Sequence, residues 1–337
     1  MPKTTDNIAD TLNLGNLSSI IDDALRSLHI TGSVLLRESY ASHWAIAIPD
    51  ALTLRSMLKA EQTMSVVAFH LVEFGHCSLQ SANGDNIVIK AGEMVICFGG
   101  ESHQLVRGKP DQVQQIETLL AGGPNIQRPN IETGSEGASL LCGVFLLQHT
   151  MLNPLFNALP SVMHSKLTRS GELHNLSGVS RLMAEEIDRE PKAGSYVVER
   201  LLEVLCAEAV RAHIELVPHH ETNWLRGIKD PIINQAIAAI HSKPGEDWSV
   251  QRMASDLAMS PSRFAARFSE SVGDSPMAYT TKWRMNLACR ALINSKFSID
   301  QIANDVGYES QTAFSRAFKK HVGVSPAFWR NQQRQVA

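Results

Sequence analysis

Two sets of side chains in this chain combine useful chemical groups with suggestive spacing. The first surrounds Phe314 and Phe318: Gln311, Thr312, Ser315, Arg316 and Lys319. Phenylalanines four residues apart share one face of a helix, so Arg316, two residues from each, points the opposite way. A guanidinium presented like this can donate two parallel hydrogen bonds to O6 and N7 of guanine, while the Lys319 ammonium suits a phosphate. A parallel set surrounds Phe264 and Phe268. There Ser262, Ala265 and Ala266 lie opposite the rings, and Arg263 and Arg267 flank them, placed for phosphates or bases at a groove edge. The second group is His70, Cys97 and His103, with His43 as a further pocket-lining or hydrogen-bonded candidate. Imidazole and thiol groups can hydrogen-bond a ligand, titrate or bind a metal.

The elements that position the first group occur twice. Ser249 to Tyr279 and Ser298 to Trp329 are two copies of one helical unit. Ala254 and Asp256 recur as Ala303 and Asp305, an offset of 49, while Phe264, Phe268, Val272, Gly273, Ser275 and Pro276 recur at an offset of 50. In each copy a serine, Ser249 or Ser298, can cap a short helix whose buried stripe is Met253, Ala254 and Leu257, or Ile302, Ala303 and Val306. A turn follows, with Gly307 suited to left-handed backbone and Ala258 at the equivalent place. Between the copies the spacing predicts a single 19-residue helix, Pro276 to Asn294. At 1.5 Å per residue it is roughly 28 Å long, close to the roughly 34 Å of one duplex turn.

This segment resembles the DNA-binding domain of the AraC/XylS family, two helix-turn-helix units joined by a long helix. Its tail signature is matched by Ser298, Ile302, Ala303, Val306, Gly307, Tyr308, Ser310, Phe314, Ser315, Arg316, Phe318, Lys319, Gly323, Ser325 and Pro326. The resemblance implies binding to double-stranded promoter DNA and contact with RNA polymerase, with activation more frequent than repression.

Charge agrees with that division. The whole chain of 337 residues carries a net −3, yet residues 231–337 carry +5 and residues 1–230 carry −8. Only the C-terminal part has the sign needed to neutralise phosphate. No run of 18 apolar residues occurs and the N-terminus has neither a basic start nor an apolar core, so a cytoplasmic protein without membrane contact is expected. The five cysteines, Cys77, Cys97, Cys142, Cys206 and Cys289, are scattered and never form C-x-x-C. Buried, reduced thiols follow, and oxidant sensing would fall to Cys77 and Cys142.

The first half reads differently. Ser18 to Leu28 has the pattern of a short amphipathic helix. Short apolar segments then follow at Val34–Leu36, Trp44–Ile48, Val66–Val72, Cys77–Gln80, Asn86–Ile89, Glu93–Phe98 and Leu140–Leu147, punctuated by Asn83-Gly84 and Ala91-Gly92. Closely spaced strands of this kind predict an antiparallel barrel. Gly92, Phe98, Gly100 and His103 resemble the second cupin motif, with phenylalanine where the motif has proline. The paired-histidine first motif is missing, so neither a metal nor a cofactor is expected. The stretches HLVEFGHCSLQ, GEMVICFGGESH and LLCGVFLLQHTMLNPLFNALP resemble a cupin-like sensor domain found in one AraC-type subgroup. That resemblance implies a small-molecule effector, and strand alternation directs His70, Cys97 and His103 inward to meet it. Residues 121–139, rich in Gly, Pro and Asn, read as a long loop, possible as a lid. Helices are expected over 172–189 and 195–216, the second with a stripe of Val198, Leu201, Leu202, Leu205 and Ala209 suited to packing or to a homodimer. Residues 217–229 read as a linker.

The resulting expectation is a multidomain α+β protein. Residues 1–160 form a cupin-like effector domain, 161–229 a helical linker and dimerisation region, and 230–333 a DNA-binding domain with two helix-turn-helix units. The chain is expected not to be an enzyme. The alternatives are a metal-dependent cupin enzyme fused to a DNA-binding domain and a redox-sensing regulator.

Overall fold

In the computed structural model the described residues are 6–41, 43–127, 137–148, 150–166, 174–189, 195–216 and 224–334. They fall into two compact units, each assembled from separated stretches: Ile30–Gln148 with Leu159–Leu216, and Met1–His29 with His149–Ala158 and Val217–Ala337. These units cut across the expected segment boundaries at 160 and 229.

The first unit is sheet-rich. Its strands are β1 (Ile30–Tyr40), β2 (Trp44–Ile48), β3 (Ser65–Phe74), β4 (His76–Ser81), β5 (Asn86–Lys90), β6 (Glu93–Cys97), β7 (His103–Arg107), β8 (Val113–Gln115), β9 (Asn125–Ile126), β10 (Ala138–Leu147) and β11 (Met163–Lys166). They form two sheets, ordered β11-β6-β3-β10-β1-β9 and β5-β4-β7-β2-β8. The barrel expectation is corrected here: the sheets are separate and mixed, because β9 joins β1 and β8 joins β2 in parallel. The expected hairpin at Asn83-Gly84 joins β4 to β5, with Gly84 at φ +90°, and Gly92 at φ +75° turns β5 into β6.

Strands β3 and β10 are buried along nearly their whole length, the mark of a sheet covered on both faces. On one face Ala68, Val72, Val95, Cys97, Leu140, Cys142 and Val144 form a core with Ile46, Cys77, Leu79, Ile89 and Leu105 of the other sheet. On the alternate positions Phe69 stacks on Phe145 at 4.7 Å between ring centroids. The helix Tyr196–Leu216 lies against β1, β10 and β11 and pairs with the helix His174–Arg189. Gly32 permits the close approach, since a Cβ there would stand 2.6 Å from Leu202 Cβ. Arg37 fastens the second helix: it pairs with Glu73 at 2.8 Å and with Asp188 at 2.6 Å. In the expected loop 121–139, Asn125–Ile126 is strand and Ala138 already begins β10, while 128–136 lie outside the described residues.

The second unit is helical. Its N-terminal helix, Asp6–Leu28, buries Ile20, Ile21, Ala24, Leu25 and Leu28 and packs on the helix Pro231–Ser242. Asn153 Nδ2 ties the short segment near Pro154–Ala158 to it, donating to Ala24 O at 2.8 Å and Ser27 Oγ at 2.6 Å. Of the expected linker, 217–223 lie outside the described residues and Trp224–Lys229 is a helix with Trp224, Leu225 and Ile228 buried. Seven further helices follow, at Pro231–Ser242, Val250–Asp256, Pro261–Val272, Pro276–Asn294, Ile299–Asp305, Gln311–Val322 and Pro326–Arg334. The connecting helix spans the predicted 19 residues. No helix among the described residues is long and apolar enough to cross a membrane.

Candidate DNA-reading helices and a buried histidine and cysteine cluster

Both repeats build the same turn. Val250–Asp256 starts at Ser249, whose hydroxyl accepts from Arg252 N, and Ile299–Asp305 starts at a reciprocal capping box of Ser298 and Gln301. Each short helix ends in left-handed backbone, at Ala258 with φ +53° and at Gly307 with φ +81°. The closing hydrogen bonds correspond, Met259 N to Ala254 O and Tyr308 N to Ala303 O, both 2.9 Å. The chain then enters Pro261–Val272 or Gln311–Val322. Each is closed by a left-handed glycine, Gly273 or Gly323.

In both of these candidate reading helices the phenylalanines are fully buried and the opposite face is open. Phe264 and Phe268 meet at 5.8 Å between centroids, and Phe314 and Phe318 at 5.6 Å. On the first helix Ser262, Arg263 and Ala266 are exposed, while Ala265 and Arg267 are half-buried. Arg267 is engaged inside the unit: its Nε and Nη2 donate to the Asp230 carboxylate at 2.9 and 3.0 Å. Asp230 also caps the helix Pro231–Ser242 by accepting from Ile232 N and Ile233 N, so Arg267 has a structural role that spacing did not reveal. The only trace in the sequence is the Asp230-Pro231 pair, a helix-start pattern.

On the second helix Gln311, Thr312, Arg316 and Lys319 are exposed and Ser315 is half-buried. Among the described residues no hydrogen bond or ion pair engages Arg316. A charged group with free donors on the open side of such a helix can approach base edges without first breaking an internal contact.

Two further residues brace these helices. Arg284, on the connecting helix, donates to Pro244 O and Glu246 O at 2.7 Å, and its Nη1 reaches Gly307 O at 3.4 Å. It thereby pins the turn of the second repeat to the loop before the first. His241 is buried and stacks on Trp283 at 3.7 Å. Tyr279 Oη receives Trp224 Nε1–H at 2.9 Å and is 2.8 Å from His241 Nε2. Burial lowers the His241 pKa to about 3, so the ring is neutral; Tyr279 donates and Nε2 accepts.

In the sheet-rich unit the structure brings together His70, Cys97 and His103. His70 sits on β3 opposite Val95, and Cys97 ends β6 opposite Ala68, so both project from the same face of one sheet. The segment Phe98–Ser102 crosses to the other sheet, where His103 opens β7. Gly100 adopts φ +67° in it, and a Cβ there would press on Ala51 at 2.9 Å. His70 Nε2 and His103 Nε2 are 2.8 Å apart, and Cys97 Sγ is 3.8 Å from His103 Nε2. His103 Nδ1 is 3.1 Å from the carbonyl of Glu101, an acceptor, so Nδ1 carries the proton and the Nε2 lone pair faces the cluster. Burial lowers the pKa of both histidines and pushes the Cys97 thiol up to about 12. His103 also lines a polar cleft of about 390 Å³ with Ile48, Gln80, Ser102, Gln104 and Gln115. A separate cavity of about 150 Å³ lies in the helical unit beside Trp224, Lys282 and Trp283. Of the other predicted pocket residues, His43 is exposed. All five cysteines are buried and unpaired, and burial raises every one of their pKa values, the reverse of a low-pKa, accessible sensor thiol.

These features define a DNA-binding protein with tandem helix-turn-helix readers and a cupin-like unit. Comparison with known proteins agrees. Residues 20–215 match the family described as Cupin and residues 253–332 match a helix-turn-helix domain. A putative AraC-like transcription regulator of Streptomyces antibioticus is 35% identical over 79% of this chain and 87% of its own length. One from Streptomyces lividans is 32% identical over 79% and 86%. The HTH-type transcriptional regulator AlkR of Acinetobacter baylyi is 29% identical over 94% of this chain and 99% of its own. The chain belongs to the AraC-like transcription regulators.

Proposed function

We propose that this regulator responds to a small effector held in the sheet-rich unit near His70, Cys97 and His103, and that it binds promoter DNA as a homodimer and activates through RNA polymerase. The observation that carries the sensing part is the buried convergence of three polar side chains from two sheets beside a cleft. Buried polar groups in an apolar core are costly unless something uses them. The homodimer reading draws on Leu182, Tyr196, Val197, Val204 and Leu216, apolar side chains left exposed along the two helices of that unit. Base reading is assigned chiefly to the second helix, through Gln311, Thr312, Ser315 and Arg316, with Lys319 and Arg263 on phosphates. Ser262, Ala265 and Ala266 present a shorter surface from the first.

The test of the sensing part uses the whole chain, since each compact unit draws on separated segments. In a thermal-shift screen, a true effector at 100 times its Kd stabilises by about 2.7 kcal/mol. The same compound changes affinity for the selected duplex, and a Gln substitution at His103 abolishes both effects. A compound that acts equally on the parent and on the His103→Gln chain argues against this assignment.

A further inference from the structure

We propose that His70, Cys97 and His103 form a binding site for a soft d10 metal ion, Cu(I) in preference to Zn(II). This names the ligand class of the sensing site and rests on placing that site in the sheet-rich unit. The three side chains form the one group among the described residues whose ligating atoms could hold a metal ion, with those atoms all within 4.8 Å of one another and all three residues buried. Two imidazoles and a thiolate are the donors that soft and borderline ions select.

The geometry is close to that of a loaded site. With metal–nitrogen bonds of about 2.0–2.1 Å and a metal–sulfur bond of about 2.3 Å, tetrahedral angles put two nitrogens roughly 3.3 Å apart and nitrogen and sulfur roughly 3.6 Å apart. The observed separations are 2.8 and 3.8 Å. Loading therefore asks the two rings, now in hydrogen-bond contact, to part by about half an ångström and the proton that bridges them from His70 Nε2 to move to its Nδ1, so that both imidazoles stay neutral. Backbone already fixes one ligand: Glu101 O holds the Nδ1 proton of His103 and leaves Nε2 as the electron-pair donor. Metal-binding histidines are oriented by such second partners. The polar cleft that His103 lines supplies a side from which an ion can arrive.

Charge decides between ions. Binding displaces the Cys97 thiol proton to solvent and leaves one thiolate with two neutral imidazoles. Cu(I) makes that complex neutral, whereas Zn(II) leaves a net positive charge among Val72, Val95 and Cys142 of the core. Zn(II) also calls for a fourth ligand, and no further His, Cys, Asp or Glu joins the group among the described residues. A His-x-His pair on one strand is missing from this sequence; the ligand set is instead assembled across β3, β6 and β7.

The experiment is an anaerobic competition of the reduced full chain against bathocuproine disulfonate for Cu(I), with a parallel zinc titration. The expected result is one equivalent of Cu(I), retained with affinity at least about a hundredfold above that of Cys97→Ser or His103→Gln, while Cys206→Ala matches the parent. Because either variant could lose its fold, X-ray absorption on the copper-loaded parent provides an independent reading. One sulfur and two nitrogen neighbours support the site; a first shell without sulfur overturns it. Retention of Zn(II) with no retention of Cu(I) overturns the choice of ion. If neither ion is held but an organic effector still stabilises the chain through His103, the metal inference falls and the sensing assignment stands. If no ligand acts through this unit at all, the sensing assignment falls with it.

Discussion

The two helix-turn-helix repeats share a fold and differ in what their open faces offer. Both bury a phenylalanine pair, both close on a left-handed glycine, and Tyr279 and Trp329 hold equivalent places against Phe268 and Phe318. Yet Ala266 stands where the second repeat has Arg316, and the first repeat's Arg267 is tied to Asp230 where the second has half-buried Ala317. The first repeat has turned Arg267 inward to hold its own unit together and leaves Arg263, nearer the start of the helix, exposed. The second keeps Arg316 exposed at mid-helix, where the proposed reading aims it at base edges. Duplicated folds can thus divide labour by moving a single charged side chain one position round a helix.

The largest effect should be common to both repeats, which tests whether their cores are equivalent. Phe268→Ala and Phe318→Ala each remove a fully buried ring and should each cost about 3–5 kcal/mol in urea unfolding. A cost under about 1 kcal/mol for either would show that the two cores do not carry equal weight.

The next effect separates them. Tyr279 belongs to a buried network with Trp224 and His241, whereas Trp329 donates to Cys289 O at 3.3 Å. The folded pKa of His241, about 3, lies below its ordinary 6.5, with burial as the cause. Between these values the unfolded chain binds a proton that the folded chain refuses, so this contribution is complete above about pH 6.5 and is lost as pH falls toward 3. The limiting slope is about 1.4 kcal/mol per pH unit. Asp23 Oδ2, 3.8 Å from His241 Nδ1, has a raised pKa and opposes that slope at the acid end. Unfolding at pH 7 and pH 5 should show the loss in the parent and a shallower one in His241→Phe. Equal slopes in the two would remove His241 as the cause.

The smallest effect concerns the turns. Ala258 holds φ +53° where Gly307 has the permissive residue. Left-handed backbone costs a side chain roughly 1–2 kcal/mol, and glycine gives back roughly 0.5–1 kcal/mol in unfolded-state entropy. Ala258→Gly should therefore stabilise by about 0.5–1 kcal/mol, read as a higher urea midpoint at constant m-value, and a loss of stability would mean that the two turns are not equivalent.

Much of the helical unit was legible because its signals are local. The phenylalanine spacing, the capping serines and the Gly-x-Ser-Pro closures each act within one turn of chain, and they foretold the connecting helix over Pro276–Asn294. What escaped depends on distant partners. Arg267 finds Asp230 across 37 positions; alternation grouped His70 with His103 as inward-facing residues but did not show their direct contact across 33. Of the seven strands read from alternation, six are present within longer or matching spans and Glu93–Phe98 ends one residue earlier, at Cys97, but alternation does not say which strand pairs with which. The parallel additions of β8 and β9, which give two mixed sheets in place of a barrel, were therefore hidden. An amphipathic pattern likewise marked Ser18–Leu28 as a helix with a buried face, without revealing that this face belongs to the helical unit.

The division of labour between the repeats is tested most directly by selecting duplexes from a random library with the parent chain and with Arg316→Ala, both checked for equal stability. If Arg316 reads a base pair, the variant's recovered motif loses preference at one position, worth about 1–3 kcal/mol, while the rest of the motif stays the same. Lys319→Ala, as a phosphate control, should weaken all duplexes alike and lower the salt slope by about one unit. A motif unchanged at every position in Arg316→Ala would contradict the assignment of base reading to that side chain.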